Sequence, residues 1–172
     1  MRRPGRKPDL SEADAGDPNH SYSYAVALLA RRDYSTVELR KKLKDRGYLE
    51  HAIEPVLIDL EETRKLDDQR YGANVVAYRA RRGQGPARIK NELRKSGLKD
   101  EQIQAAVQSG EDAPDFVALA REARRRKFGP DIPKDWKDRA KQARFLQYRG
   151  FSTDHIRAVL EGTPDEGLEA DD

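Results

Sequence analysis

The chain of 172 residues has no cysteine, one methionine and one tryptophan. Without thiols it can form neither disulfides nor thiolate metal sites, and it suits a reducing compartment, which we expect to be the cytoplasm. Long apolar runs are missing as well. The longest, Tyr24 to Ala30, falls far short of the roughly 20 residues a membrane helix requires, so no membrane association is expected. The basic start MRRPGRKP leads into Asp9, Glu12, Asp14 and Asp17 instead of an apolar stretch, so it does not read as an export signal.

Catalytic signatures are absent too. There is no glycine-rich phosphate loop, no nucleophile set beside a base and no carboxylate pair with supporting neighbours. Asp67 and Asp68 open a helix, where carboxylates complement the dipole and cap backbone N–H groups. His20, His51 and His155 are too scattered to form a metal site. We therefore expect a protein that is not an enzyme and binds neither cofactor nor metal.

Charge is abundant: 38% of residues are charged and 36% hydrophobic. That is little material for one deep core, whereas thin units stacked in a row need less. The net charge is +3, but residues 163–172 hold five acidic side chains and residues 1–20 balance four basic against four acidic, which leaves +8 on the body. A basic body suits an anionic partner.

Residues 1–20, with Pro4, Pro8 and Pro18 and few apolar side chains, read as a disordered arm, and residues 163–172 as a disordered acidic tail. Between them apolar residues recur at helical spacing, first at Tyr22, Ala25, Val26 and Leu29. These stripes read as core. Ser35 with Glu38 suits a capping box, Gly85-Pro86 a helix start and Ser152 the cap of the last helix. Pro55 lies too far into its helix for the first turn, which predicts a late start or a kink.

Three glycines organise the rest. Gly97 and Gly150 follow Gly47 at intervals of 50 and 53 residues, and their flanks coincide. Four residues before each glycine stand Leu43, Leu93 and Leu146; one after, Tyr48, Leu98 and Phe151; six after, Ile53, Ile103 and Ile156. Each glycine ends a helix in a left-handed conformation, the next residue folds back on it, and a second helix follows. With one preceding helix per copy, the pattern predicts an all-α fold of three tandem three-helix repeats, about nine helices, over 21–65, 66–110 and 111–162. Gln142 breaks the register, because Leu39 and Ile89 hold that position in the first two copies.

On LLARRDYSTVELRKKLKDRGY, KLDDQRY and RARRGQGPARIKNELRKSGL the chain resembles the RecX family of bacterial RecA regulators, and it does so more faintly on ARRRKFG and ARFLQYRGFS. The resemblance implies an elongated, curved array that acts as a monomer. Its partner would be the RecA filament on single-stranded DNA, bound in the groove, with inhibition of ATPase, strand exchange and co-protease activities.

Basic residues are the candidate contacts. The first repeat offers Arg40, Lys41 and Lys44; the second Arg79, Arg81, Arg82, Arg88, Lys90, Arg94 and Lys95; the third Arg124, Arg125, Arg126 and Lys127. The middle cluster is favoured, since Gly83 and Gly85 would let a partner's backbone approach closely. Trp136, Tyr148 and Phe151 could stack on bases, although Trp136, helically spaced with Ala140 and Ala143, reads first as core. Weak direct nucleic-acid binding is compatible with the filament as partner, and the competing reading is a direct DNA-binding protein of tri-helical units.

Overall fold

The computed structural model describes residues 10–108 and 113–161. Among them are ten helices and no strand: α1 Glu12–Ala15, α2 Pro18–Leu29, α3 Thr36–Arg46, α4 Glu50–Glu62, α5 Asp68–Arg81, α6 Pro86–Lys95, α7 Asp100–Gln108, α8 Phe116–Phe128, α9 Trp136–Tyr148 and α10 Thr153–Leu160. Helices α2–α4, α5–α7 and α8–α10 form three successive triplets, and α1 is the addition. No described helix is long and apolar enough to cross a membrane.

Gly47, Gly97 and Gly150 adopt φ of 110°, 89° and 92°, the left-handed region that a side chain disfavours. At the first, the Gly47 N–H donates to the Lys44 carbonyl (2.9 Å) and the Tyr48 N–H to Leu43 (3.2 Å); at the third, Gly150 donates to Gln147 (2.9 Å) and Phe151 to Leu146 (3.1 Å). These paired bonds satisfy the last carbonyls of α3 and α9, and Tyr48 and Phe151 turn inward and are buried.

The chain divides into two compact units. Unit 1 holds residues 1–72 and 94–102, unit 2 residues 73–93 and 103–172, so the middle triplet is shared. In unit 1, Ala25, Leu39, Leu43, Ile53, Leu57 and Leu60 form a core completely or almost completely shielded from water. In unit 2, Ala120, Ala123, Leu146, Phe151 and Val159 do the same, with Phe116, Phe145 and Ile156 packed around them.

Part of the segment expected to be a disordered arm is folded. Residues 1–9 and the acidic tail lie outside the described residues, but 10–20 are built into unit 1. Ser11 and Asp17 cap α1 and α2 with their side chains, Leu10 packs against the core, and the Leu49 N–H donates to the Ala15 carbonyl at 2.9 Å. A single leucine and two caps supply what low hydrophobicity in the segment conceals. Pro55 does not delay its helix, which overturns the late start of the two expectations: α4 starts at Glu50 and runs through it. Pro55 and His51, whose carbonyl loses its intrahelical donor, both lie on the exposed side, where water replaces that bond.

Ser35 accepts the Glu38 N–H at 3.1 Å, as predicted, but Glu38 does not close the box and instead accepts from Arg32 at 3.2 Å. The serine hydroxyl donates to the Ser96 carbonyl at 2.5 Å, and Asp68 accepts the Thr36 N–H at 2.8 Å. The start of α3 thus rests on the Gly97 turn, with Val37 where a Cβ on Gly97 would lie. This joint lies wholly within unit 1.

Unit 2 contains a second joint. The Gly85 N–H donates to the Arg149 carbonyl (2.8 Å) and the Ala87 N–H to Gly150 (3.0 Å), so the start of α6 rests on the Gly150 turn. A Cβ on Gly85 would collide with the Gly150 backbone, and one on Gly150 would come within 2.7 Å of the Arg88 nitrogen. Gly85 therefore serves an approach within the chain, and the expectation that it admits a partner's backbone is corrected.

The break at Gln142 has a partner. Gln142 is buried and accepts from Arg124 Nη1 at 3.3 Å. Arg124, only 2% exposed, also donates to the carbonyls of Gly129 (2.9 Å), Pro130 (2.6 Å) and Asp131 (2.7 Å). Arg124 is thus an internal clamp on the α8–α9 connection, which corrects its assignment as a contact residue. Replacing it with alanine should destabilise the protein by about 3 kcal/mol, because a buried amide loses its donor and the three carbonyls must find water. Denaturant unfolding measures this, and Arg124→Lys should recover little, since one ammonium cannot span that fork.

Candidate functional site

The basic residues fall into two sets once their partners are known. Many lace the second helix of a repeat to the third. In the first repeat Arg40 reaches Glu50 (2.7 Å) and Glu54 (2.8 Å), and Lys44 reaches Glu50 (2.6 Å). These hydrogen bonds, led by that from Lys44, hold the Glu50 carboxyl below the usual carboxylate range. In the second, Arg94 pairs with Asp100 (3.1 Å) and Lys90 donates to Gln104 (3.1 Å). Arg79 binds Glu92 at 2.6 Å, and Arg125 and Arg126 share Glu122 at 2.9 and 2.7 Å. Such exposed pairs contribute little stability each, about 0 to 1 kcal/mol.

The second set has no carboxylate partner among the described residues: Lys41, Arg81, Arg82, Arg88, Lys95 and Lys127, all exposed. Arg82 donates to the Tyr78 hydroxyl at 2.6 Å and Arg81 to the Ala77 carbonyl at 3.3 Å, so both guanidiniums keep most of their donors.

Within unit 2 some of these cations converge. The ends of α5, α8 and α9 enclose a pocket of about 270 Å³ with Arg81, Arg82, Arg126, Lys127 and Arg149 around an apolar floor that includes Leu119, Ala123 and Phe145. Glu122 is its one carboxylate. Arg149 builds the wall: its guanidinium lies 4.9 Å from the Phe145 ring centroid and donates to the carbonyls of Arg82 (3.1 Å) and Gly83 (3.3 Å), which end α5. The structure thus brings Arg81 and Arg82 together with Arg126. Arg40, Lys41, Lys44, Arg94 and Lys95 belong to unit 1.

Arg149 was missed in the sequence, although a cation directly before a helix-stop glycine also occurs at Arg46. The aromatic expectations are partly overturned. Trp136 is 77% exposed and is not core, Tyr148 is 79% exposed, and Phe151 is buried. The start of α9 projects Trp136 beyond the stripe formed by Ala140 and Ala143, so helical spacing alone misplaced it. No group of histidines and carboxylates among the described residues has a metal-binding arrangement.

Comparison with known proteins accounts for all three triplets. Models of the first, second and third RecX three-helix domains match residues 22–60, 67–107 and 114–160. The chain is 44% identical over 138 residues to the regulatory protein RecX of Pseudomonas fluorescens strain SBW25, covering 80% of this chain and 88% of the relative. It is 40% identical over 142 residues to that of Halorhodospira halophila, covering 83% and 87%. A crystal structure of RecX from Lactobacillus salivarius superposes with a TM-score of 0.72 at 22% identity, covering 87% of this chain and 96% of that one, and so shares the fold. Triplet by triplet and along most of its length, the chain belongs to the RecX family of regulatory proteins.

Proposed function

We propose that the protein binds RecA filaments on single-stranded DNA in their groove and inhibits the ATPase, strand-exchange and co-protease activities of the recombinase, acting as a monomer in the cytoplasm. The observation that carries this reading is the convergence of Arg81, Arg82, Arg126, Lys127 and Arg149 on one pocket against a single carboxylate. Family membership supports the regulatory role. A chain of repeats suits a partner that is itself a repeat, because linked weak contacts raise avidity without any catalytic group. Electron microscopy of nucleotide-bound filaments mixed with the protein tests the reading: added density in the groove is expected, and bare filaments at saturating protein would overturn it.

A second reading, direct binding of single-stranded DNA, draws on two exposed aromatics. Tyr78 is 53% and Tyr148 79% exposed, with the guanidiniums of Arg82 and Arg88 at 5.4 and 5.7 Å from their rings. Such faces can stack on bases. A salt series on naked DNA separates the two: tight binding at physiological salt without recombinase favours the second, weak and steeply salt-dependent binding the first.

A further inference from the structure

In the first two repeats, residues three and seven positions before the glycine reach residues three and seven positions after it. The pairs are Lys44 with Glu50 and Arg40 with Glu54, then Arg94 with Asp100 and Lys90 with Gln104. The third repeat has Gln147 with Thr153 and Ala143 with Arg157 at the same places. Its lacing is gone, and the cation has moved from the second helix to the third.

The missing struts leave a groove of about 290 Å³ between α9 and α10. Trp136, Ala140 and Ala143 line one side, Ile156 and Leu160 the other, with Arg139 and Arg157 at its rim. Among the described residues Arg157 makes two long ion pairs, 3.9 Å to Asp154 and 3.8 Å to Glu161, and Arg139 donates to the Pro133 carbonyl at 2.9 Å. Among the described residues, neither guanidinium has a carboxylate within hydrogen-bond reach. An exposed tryptophan beside small side chains offers a large rigid face, the kind of anchor that dominates protein interfaces.

We propose that this groove is a docking site for a segment of the protein partner that inserts one apolar side chain against Trp136, Ala140 and Ala143 and places a carboxylate on Arg157. The partner thereby supplies in trans the acidic half of the bridge that Arg40 and Glu54 make internally in the first repeat. A nucleic-acid strand fits less well, because Ile156, Leu160 and the two alanines give no second ring for stacking and Glu161 lines the groove. The proposal rests on the reading that the partner is the recombinase filament.

The double variant Ala143→Arg/Arg157→Glu tests it, since it rebuilds the lacing of the first repeat and fills the groove with an intramolecular bridge. Its melting temperature should equal or exceed that of the parent, while co-sedimentation with nucleotide-bound RecA filaments on single-stranded DNA should weaken about tenfold or more. Arg157→Gln, a surface change, gives the same direction should the double variant fold poorly. Unchanged affinity in both variants would overturn the groove and leave the functional reading intact. Failure of the parent protein to co-sediment would overturn that reading and the occupant with it. A change in Trp136 emission when residues 163–172 are removed from the free protein would put the chain's own acidic segment in the groove, overturning a partner as occupant.

Discussion

Gly85→Ala is expected to destabilise unit 2 by about 3 kcal/mol or more, among the larger effects available to a single methyl group. The added carbon would overlap the Gly150 carbonyl and the Phe151 nitrogen, which are backbone atoms and cannot rotate aside. Relief requires pulling the start of α6 off the Gly150 turn. That breaks the Gly85–Arg149 and Ala87–Gly150 hydrogen bonds and exposes groups that were paired. Gly16→Ala provides the contrast, because its new methyl would press on the movable His51 ring at 3.2 Å, with the Glu12 carbonyl at an ordinary 3.8 Å, and should cost under about 1 kcal/mol. Urea unfolding of both variants reads the difference, and a Gly85→Ala protein as stable as the parent would show that the joint contributes nothing to stability.

Reversing two charges should have the largest effect on activity. In Arg81→Glu/Arg82→Glu the pocket's cation-to-carboxylate count changes from five against one to three against three. An anionic partner surface that met attraction would meet repulsion. About tenfold or more of the protein should then be needed for half-inhibition of RecA ATPase, with a flatter dependence on salt. Stability should change little, since both side chains are exposed and donate to the Ala77 carbonyl and the Tyr78 hydroxyl at the surface. Arg79→Ala is the control: Arg79 is already tied to Glu92 at 2.6 Å, so its loss should affect inhibition far less. Equal inhibition by parent and double variant, with folding intact, would remove the pocket from the interface.

Why some of this could be read beforehand follows from which forces are local. A left-handed glycine, the apolar residue after it and an isoleucine one helix on are fixed by neighbouring residues, so Gly47, Gly97 and Gly150 announced the triplets from spacing alone. Arg124 looked like one more surface cation in an arginine run, because its burial depends on Gln142 and on three carbonyls in the connection beyond α8. Gly85 read as a helix start open to a partner's backbone, whereas the backbone it must approach belongs to this chain, more than sixty residues away. Trp136 failed for the opposite reason: its spacing obeys the helical rule, but the rule cannot say where a stripe ends. The cations of the pocket were legible at Arg81, Arg82, Arg126 and Lys127, and the reading lacked Arg149, whose role is to hold the end of α5.

The N-terminal segment fixes the valence of the chain. Each triplet carries a turn that can receive a helix start, and in the second and third triplets Ser35 to Val37 and Gly85 to Arg88 fill it. At Gly47 the N-terminal segment takes that place: Leu10 stands 3.7 Å from where a Cβ would lie, and the Ala15 carbonyl takes the Leu49 N–H. Residues 10–17 therefore act as a stopper in a socket. A longer protein could be built by inserting a triplet at either internal joint, but one added ahead of α2 would first have to evict its own plug.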